Sequence, residues 1–419
     1  TIKYFKGLGT STSSEFKEYF ANKKVVDFIY NGPESDDVID KIFNKKRAND
    51  RKTWLENYNK NSFLDTSRKS VKYEEFINDE MIHFSTYDCA RSIPNMIDGL
   101  KISLRKILFS AFKRKLTSEI KVAQFSGYVS EHSAYHHGEA SLNGAIVNMA
   151  QTFVGSNNIN LLEPCGQFGT RLMGGKDASQ TRYIFTKLTK SARILFDSND
   201  DPVLNYLDDD GKQIEPEYYV PILPTVLVNG TEGIGTGFSS YIPPFNPSDI
   251  KQNIERVING ENIVPMKPWF DKFTGRVFSN EDDLWITEGV WKSSGKNIIV
   301  TELPPGRWTQ DYKEYLDTLI EKKKITNYVN NSTTDNVNFS IEGYTGNDII
   351  KDFKLRKTFH VSNMHLFHPT KGIHKYESPE EILTDFVKIR SETYKKRKAH
   401  LIRVLKEKSK KLENSLRCI

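Results

Sequence analysis

Cysteine is scarce: Cys89, Cys165 and Cys418 are the three thiols in 419 residues, and no C-x-x-C pair occurs. That argues against a zinc module or a disulfide framework and suits a reducing compartment. Long apolar runs are missing as well. No stretch approaches the ~18 apolar residues of a membrane-crossing helix, and no secretory signal is present, so a soluble, intracellular protein with no membrane partner is expected. Nor does one sign of charge dominate. Lys and Arg number 60 against 54 Asp and Glu, a formal charge of +6, which is compatible with a polyanionic partner without requiring one. No periodic repeat is visible, and a chain of this length has room for roughly two to four domains, each with its own core. It opens on Thr1 without a methionine and stops inside a helical pattern, which reads as an internal piece of a longer protein.

Two glycine-rich runs fail as nucleotide sites. In Gly169-Thr-Arg-Leu-Met-Gly-Gly-Lys-Asp177 a phosphate loop would need glycine where Thr170 stands and a hydroxyl where Asp177 stands. A backbone loop that lets a nucleic acid approach, with Lys176 touching a phosphate, is the better account. Gly230, Gly233, Gly235 and Gly237 miss the final spacing of a dinucleotide fingerprint. His136 and His137 are poor joint metal ligands, because adjacent side chains diverge by ~100° on a helix and point oppositely on a strand, and no third ligand lies at metal spacing. A helix beginning near Gly138 would instead aim free backbone N–H groups at a phosphate, with Tyr135, His136 and Ser141 around it.

Four stretches give the organisation. Residues 35–80 are charged, with Lys45-Lys-Arg47 and Asp50-Arg-Lys-Thr-Trp54 in helix-like patterns, and read as a connector with a basic face. After Lys101, the residues Leu104, Ile107, Leu108, Phe112 and Leu116 fall on one helical stripe, while Arg105, Lys106, Lys113, Arg114 and Lys115 fill a cationic face. A second helix follows from about Ser141, with Leu142, Ile146 and Met149. Two short helices followed by glycine-rich strands point to a winged-helix or helix-turn-helix module on a duplex. Beyond Ile242-Pro-Pro-Phe-Asn-Pro247, short alternating strands such as Asn297–Val300 and Val337, Phe339, Ile341 indicate a flanking α+β domain. After Glu380 a long helix carries Tyr394, Leu401, Leu405, Leu412 and Leu416 as an approximate heptad stripe.

One side chain stands out as a nucleophile. Tyr183 directly follows Arg182 and lies a few residues beyond Gly174, Gly175 and Lys176. A phenol with pKa near ~10 attacks poorly at neutral pH unless a neighbour takes its proton or spreads the charge developing on a phosphate. Arg182 can do the second.

The motifs Arg91-Ser-Ile-Pro, Asp98-Gly-Leu-Lys101, Tyr135-His-His-Gly-Glu139, Phe153-Val-Gly-Ser-Asn-Asn158, Gln167-Phe-Gly-Thr-Arg171, Gly174-Gly-Lys-Asp177, Arg182-Tyr183 and Gly233-Ile-Gly-Thr-Gly237, in this order, resemble the type IIA DNA topoisomerases, the eukaryotic and large-virus enzymes more than bacterial gyrase. Lys6-Gly-Leu-Gly-Thr10 resembles the close of that family's metal-binding Toprim domain. The resemblance implies an α+β multidomain fold: residues 1–25 end the Toprim domain, 26–82 form a helical basic connector, 83–245 a winged-helix breakage-reunion domain, 246–378 an α+β tower, and 379–419 the start of a coiled coil toward a dimer gate.

It also implies roles. Tyr183 would cut a DNA strand through a 5′-phosphotyrosyl link, with Arg182, Arg91 and His136 lining the site. Arg51, Lys52, Lys101 and Trp308 would contact DNA beside Tyr135, Ser141 and Lys176, and Ile234 would wedge between base pairs and bend the duplex. Mg2+ and ATP would serve the full-length enzyme but be bound outside this stretch, which is expected to bind DNA and cut poorly by itself. The partners implied are double-stranded DNA and a second copy of the chain, and the implied place is the nucleus, or a viral replication site or virion. Two rivals remain open: a non-catalytic DNA-binding and bending module of the same fold, and a tyrosine recombinase or type IB nicking enzyme, which would place its tyrosine near its C-terminal end and leave a 3′ link.

Overall fold

The apolar stripe after Lys101 does form a helix, Ile102–Lys113, with Ile107, Leu108 and Phe112 buried. The computed structural model describes residues 11–417 apart from 24, 282 and 296. The Lys6-Gly-Leu-Gly-Thr10 motif and Cys418 lie outside the described residues. The architecture is mixed α/β and divides into two units, one running to Cys89 with Gly235–Phe238 added, the other comprising Ala90–Ile234 and Ser239 onward.

In the first unit the charged stretch is more than a connector. Helices Pro33–Phe43 and Ala48–Glu56 bury Val38, Ile42 and Trp54 with Ile77 and Ile82 in a small core, and the Trp54 indole donates to Asn78 at 3.0 Å. Its basic face is also partly neutralised, because Arg47 pairs with Asp37 at 2.7 Å and Asp50 at 2.5 Å. Cys89 is buried and free, and burial, reinforced by Asp88, pushes its thiol up to about 11.

The second unit holds three cores. The first packs Ile102–Lys113 against Glu139–Ala150 and against a further helix, Val122–His132, which the sequence pattern left unmarked although Val122, Phe125 and Val129 sit at helical spacing. The cationic face expected on Ile102–Lys113 needs correction. Arg105 and Lys106 are buried, with Arg105 donating to Asp98 at 2.8 and 3.0 Å. Lys106 donates to Glu215 at 2.9 Å and to the Ser133 carbonyl. Both cations face inward because carboxylates meet them there, Asp98 from just before the helix and Glu215 from a distant segment. Lys113, Arg114 and Lys115 remain exposed.

The second core takes Met96, Ile97, Val226 and Phe245 together with Met364, Tyr376, Leu383 and Phe386. The third belongs to the alternating strands. Asn297–Glu302 pairs antiparallel with Phe339–Glu342, Ile298 opposite Ile341, within a four-stranded sheet completed by Val290–Ser294 and Asn327–Asn330. Helix Thr309–Glu321 covers that sheet with Tyr312, Leu316 and Leu319. Arg276–Glu281, Leu284–Glu288 and Arg356–His360 form a second, three-stranded sheet.

The chain continues into a 39-residue helix, Pro379–Arg417. Its first turns bury Ile382, Leu383 and Phe386, and Arg390 donates to Asp200 and to the Val220 carbonyl, each at 2.7 Å. Farther on, Tyr394, Leu401, Leu405, Leu412 and Leu416 are all exposed. Among the described residues no helix is long and apolar enough to cross a membrane.

Candidate active site

Tyr183 closes a turn, residues 181–183, just ahead of the short strand Phe185–Thr186. The next residue, Ile184, is 2% exposed in the first core. Tyr183 itself faces solvent and is 65% exposed. Its backbone is held from three directions. The Tyr183 N–H donates to the Gln180 carbonyl at 2.9 Å, and the Val122 and Ala123 N–H groups, at the start of a helix, donate to the Ile184 and Thr181 carbonyls. Phe185 exchanges both backbone bonds with Cys165. Arg182, also exposed, lies over the phenol ring with its guanidinium carbon 4.9 Å from the centroid. An exposed phenol with a guanidinium on its own ring is thus presented on an anchored turn.

The glycine loop before this turn is braced by its own hydrogen bonds. Thr170, which broke the phosphate-loop pattern, donates through its N–H at 2.8 Å and its hydroxyl at 2.6 Å to Asp177, which broke it too. Gly169, at φ +90°, lies so close to Gly175 that a Cβ would fall 2.5 Å from its backbone. Lys176 is left exposed at the loop's rim. Trp308 is half-buried, packed against Gly174 and edge-on to Phe153 at 5.7 Å, so its indole supports the loop.

A second group gathers at the helix Glu139–Ala150. Gly138 is its N-cap without a side-chain cap bond, and Gly138, Glu139, Ala140 and Ser141 are exposed, which leaves first-turn N–H groups facing solvent. His136 is exposed beside them. His137 is half-buried, and burial, then the positive charges of Arg91, His136 and Lys106, hold its imidazole below the ordinary histidine value. Arg91 reaches this cluster from the last turn of helix Ile82–Ser92 and is exposed. Tyr135 is buried, its ring edge-on to His137 at 5.3 Å, a position that orients the imidazole. The concentration of positive charge around an open helix start suits an anion.

Lys101 occupies the N-cap position of Ile102–Lys113 and is half-buried; burial lowers its pKa while Glu232 pulls it upward. Ile234 ends strand Thr231–Ile234, paired with Ser239 of the strand Ser239–Ile242, and is 83% exposed. Gly233 is obligatory there, since a Cβ would sit 2.0 Å from the Ser92 carbonyl oxygen. In the first unit, the Arg51 guanidinium donates to the carbonyls of Lys41 at 2.9 Å and Asn44 at 2.7 Å, closing the end of helix Pro33–Phe43, and Lys52 lies over the Phe238 ring at 5.8 Å. Among the described residues no three His, Cys, Asp or Glu side chains come together as a metal-holding group.

Sequence reasoning missed Arg171, Gln151 and Glu302. Arg171 pairs with Glu302 at 2.5 Å with both side chains buried, and Gln151 donates to the Phe168 carbonyl at 2.9 Å beneath Gly175. No local pattern marks partners so distant in the chain.

Comparison with known proteins agrees with the motifs. The profile of the family described as the A subunits of DNA gyrase and topoisomerase IV matches residues 91–419, and that of the C-terminal associated domain of TOPRIM matches residues 1–89. DNA topoisomerase 2 of Plasmodium falciparum is 48% identical over 433 residues, covering 100% of this chain and 31% of that protein. The mitochondrial DNA topoisomerase 2 of Dictyostelium discoideum is 48% identical over 431 residues, covering 99% of this chain and 33% of that protein. The chain thus spans about a third of the length of the curated relatives it matches. A crystal structure of the P. falciparum topoisomerase II DNA-binding, cleavage and re-ligation domain superposes with a TM-score of 0.84 at 48% identity, covering 97% of this chain and 57% of that one.

Proposed function

The chain belongs to the type IIA DNA topoisomerases, and from that membership we propose that it is the DNA breakage-reunion core of an ATP-dependent type II enzyme. The observation that carries the reading is the solvent-facing Tyr183 hydroxyl on an anchored turn with Arg182 against its ring. The tyrosine oxygen attacks a backbone phosphorus and forms a 5′-phosphotyrosyl bond. The P–O3′ bond breaks, and the leaving 3′ oxygen takes a proton as the phenol loses one. One phosphodiester replaces another, so the linkage can be resealed by the reverse step. Rate then comes from position and from charge set against the phosphate. Arg182 supplies that charge by swinging from the ring to the phosphate, and Arg91, His136 and the open start of Glu139–Ala150 hold the strand.

Residues 83–245 act as the winged-helix domain, 246–378 as the tower, and the exposed heptad stripe from Tyr394 as the root of a coiled coil joining two copies. Lys101, Lys176 and Ser141 contact backbone phosphates, and Arg51 and Lys52 add contacts from the first unit. Ile234 wedges into the duplex, where unstacking costs a few kcal/mol per step that a bent duplex offsets through wider contact. Two copies, each cutting one strand, open a gate for a second duplex. Magnesium and ATP belong to the full-length enzyme; when bound, magnesium adds positive charge at the phosphate, and the residues of this chain contribute position and guanidinium charge. The nucleus is the compartment this reading favours.

The test uses the full-length protein with magnesium and supercoiled plasmid. Protein should become covalently attached to 5′ DNA ends, and Tyr183→Phe should abolish attachment while sparing binding. A 3′ attachment, or undiminished cleavage by the Phe variant, rejects the assignment.

A further inference from the structure

The glycine loop Gly169–Asp177 is fastened on one side to the segment that carries the four-stranded sheet. Arg171 enters a buried ion pair with Glu302 at 2.5 Å, at the end of strand Asn297–Glu302. Glu302 is itself fixed: it accepts from the Leu303 N–H at 2.9 Å and from the Thr274 hydroxyl at 3.0 Å. The start of helix Thr309–Glu321 adds two backbone bonds, Thr309 N–H to the Arg171 carbonyl at 3.3 Å and Gln310 N–H to the Leu172 carbonyl at 2.9 Å. Trp308 closes the arrangement, lying so near Gly174, at φ +61°, that any Cβ there would meet the indole at 2.3 Å. On the other side, Ser179 N–H donates to the Gln167 carbonyl at 2.9 Å, and the chain passes straight into the turn that presents Arg182 and Tyr183.

These contacts form a strut rather than a continuous packed seam. A cleft of about 380 Å³, lined by Thr170, Arg171, Lys272, Thr274, Glu302 and Val337 among others, opens beside the ion pair. The pair and the indole therefore hold the loop where packing leaves room for it to shift. A displacement of ~1 Å at reacting groups can cost about 10²-fold in rate.

We propose that Arg171, Glu302 and Trp308 are positioning residues through which the flanking sheet segment sets where Lys176 and the Arg182–Tyr183 turn meet the scissile phosphate. The inference rests on Tyr183 being the nucleophile. None of the three touches the reacting atoms; they act through the loop. Anything that moved the sheet segment relative to the loop would then tune cleavage without altering the nucleophile.

The experiment measures single-turnover cleavage, DNA affinity and thermal midpoint for the full-length enzyme. Glu302→Gln keeps the shape of the side chain and removes its charge. Cleavage by this variant should fall by about 10- to 100-fold while the DNA dissociation constant changes by less than about twofold, a rate-against-binding split that general loosening of the fold would not give. Arg171→Lys should recover most of the cleavage that Arg171→Met loses. Trp308→Leu decides the matter if the ion-pair variants fail to fold, and should show the same split. Wild-type cleavage rates in a folded Glu302→Gln or Trp308→Leu protein overturn the proposal, as does a loss of cleavage matched by an equal loss of DNA affinity. Tyr183→Phe run in parallel separates the two claims: if that variant still forms 5′-linked ends, the functional reading fails, whereas its inactivity beside a fully active Glu302→Gln variant removes only the strut.

Discussion

The guanidinium of Arg182 lies over the ring of Tyr183, 4.9 Å from its centroid. A cation held on the face of an exposed phenol costs little to release, since such contacts at exposed sites contribute only ~0.5–1 kcal/mol. Under the proposed function it is stored within reach of the phosphate that the phenol would attack. Arg182→Ala should therefore lower the cleavage rate by ~10²–10³, the usual loss for one transition-state donor, with DNA affinity little changed. Quench-flow cleavage of a labelled duplex measures it. A loss confined to affinity would move Arg182 out of the chemistry.

Ile234 is 83% exposed at the end of its strand, so removing its side chain should hardly touch folding, by less than ~0.5 kcal/mol as at other surface sites. Ile234→Ala should nevertheless reduce the DNA bend, read by fluorescence transfer between dyes at the two ends of a short duplex. An unchanged bend angle would take the wedge role away from this residue.

Asp98 is fully buried and accepts from Arg105, from the Leu100 N–H and from the Tyr219 N–H. Asp98→Ala strands a buried guanidinium and should cost ~3–5 kcal/mol in urea unfolding. The pair is structural, so Asp98→Asn combined with Arg105→Met should leave the salt dependence of DNA binding unchanged. Lys176→Ala should instead reduce the log–log slope by ~0.9, one phosphate contact. A shallower slope in the double variant would return Arg105 to the DNA surface.

His137 titrates below the ordinary histidine value, held down by burial and by Arg91, His136 and Lys106. Between its folded value and the unfolded one the unfolded chain binds more protons. Its contribution to stability is therefore present above the unfolded value, near pH ~6.5, and is lost as the pH falls below it. NMR titration should place its midpoint under that of a free imidazole, and Arg91→Ala should move it upward. A midpoint insensitive to Arg91 would show that the two side chains are not coupled.

Much of the site could be read from local pattern. Tyr183 beside Arg182, the helix starting after Gly138, the strands at Asn297 and Phe339 and the stripe of Ile102–Lys113 each depend on neighbours within a few positions, where side-chain period and chain direction are set by backbone geometry. Ile234 was singled out instead by the resemblance of its Gly233-Ile-Gly-Thr-Gly237 motif, and its side chain is 83% exposed.

Local sequence pattern was thus enough to fix the family and the apolar stripes of the helices. Which charges stay accessible depended on packing between segments. Arg105 and Lys106 look like a DNA-binding face by period, yet Lys106 meets Glu215 across 109 positions of chain and both cations are buried. Arg171 carried no marked role within the glycine run, yet it meets Glu302 across 131 positions. Periodicity reports which way a side chain points from its own backbone. Whether a carboxylate waits there is settled by segments brought together in folding, and a buried cation without such a partner would not remain buried.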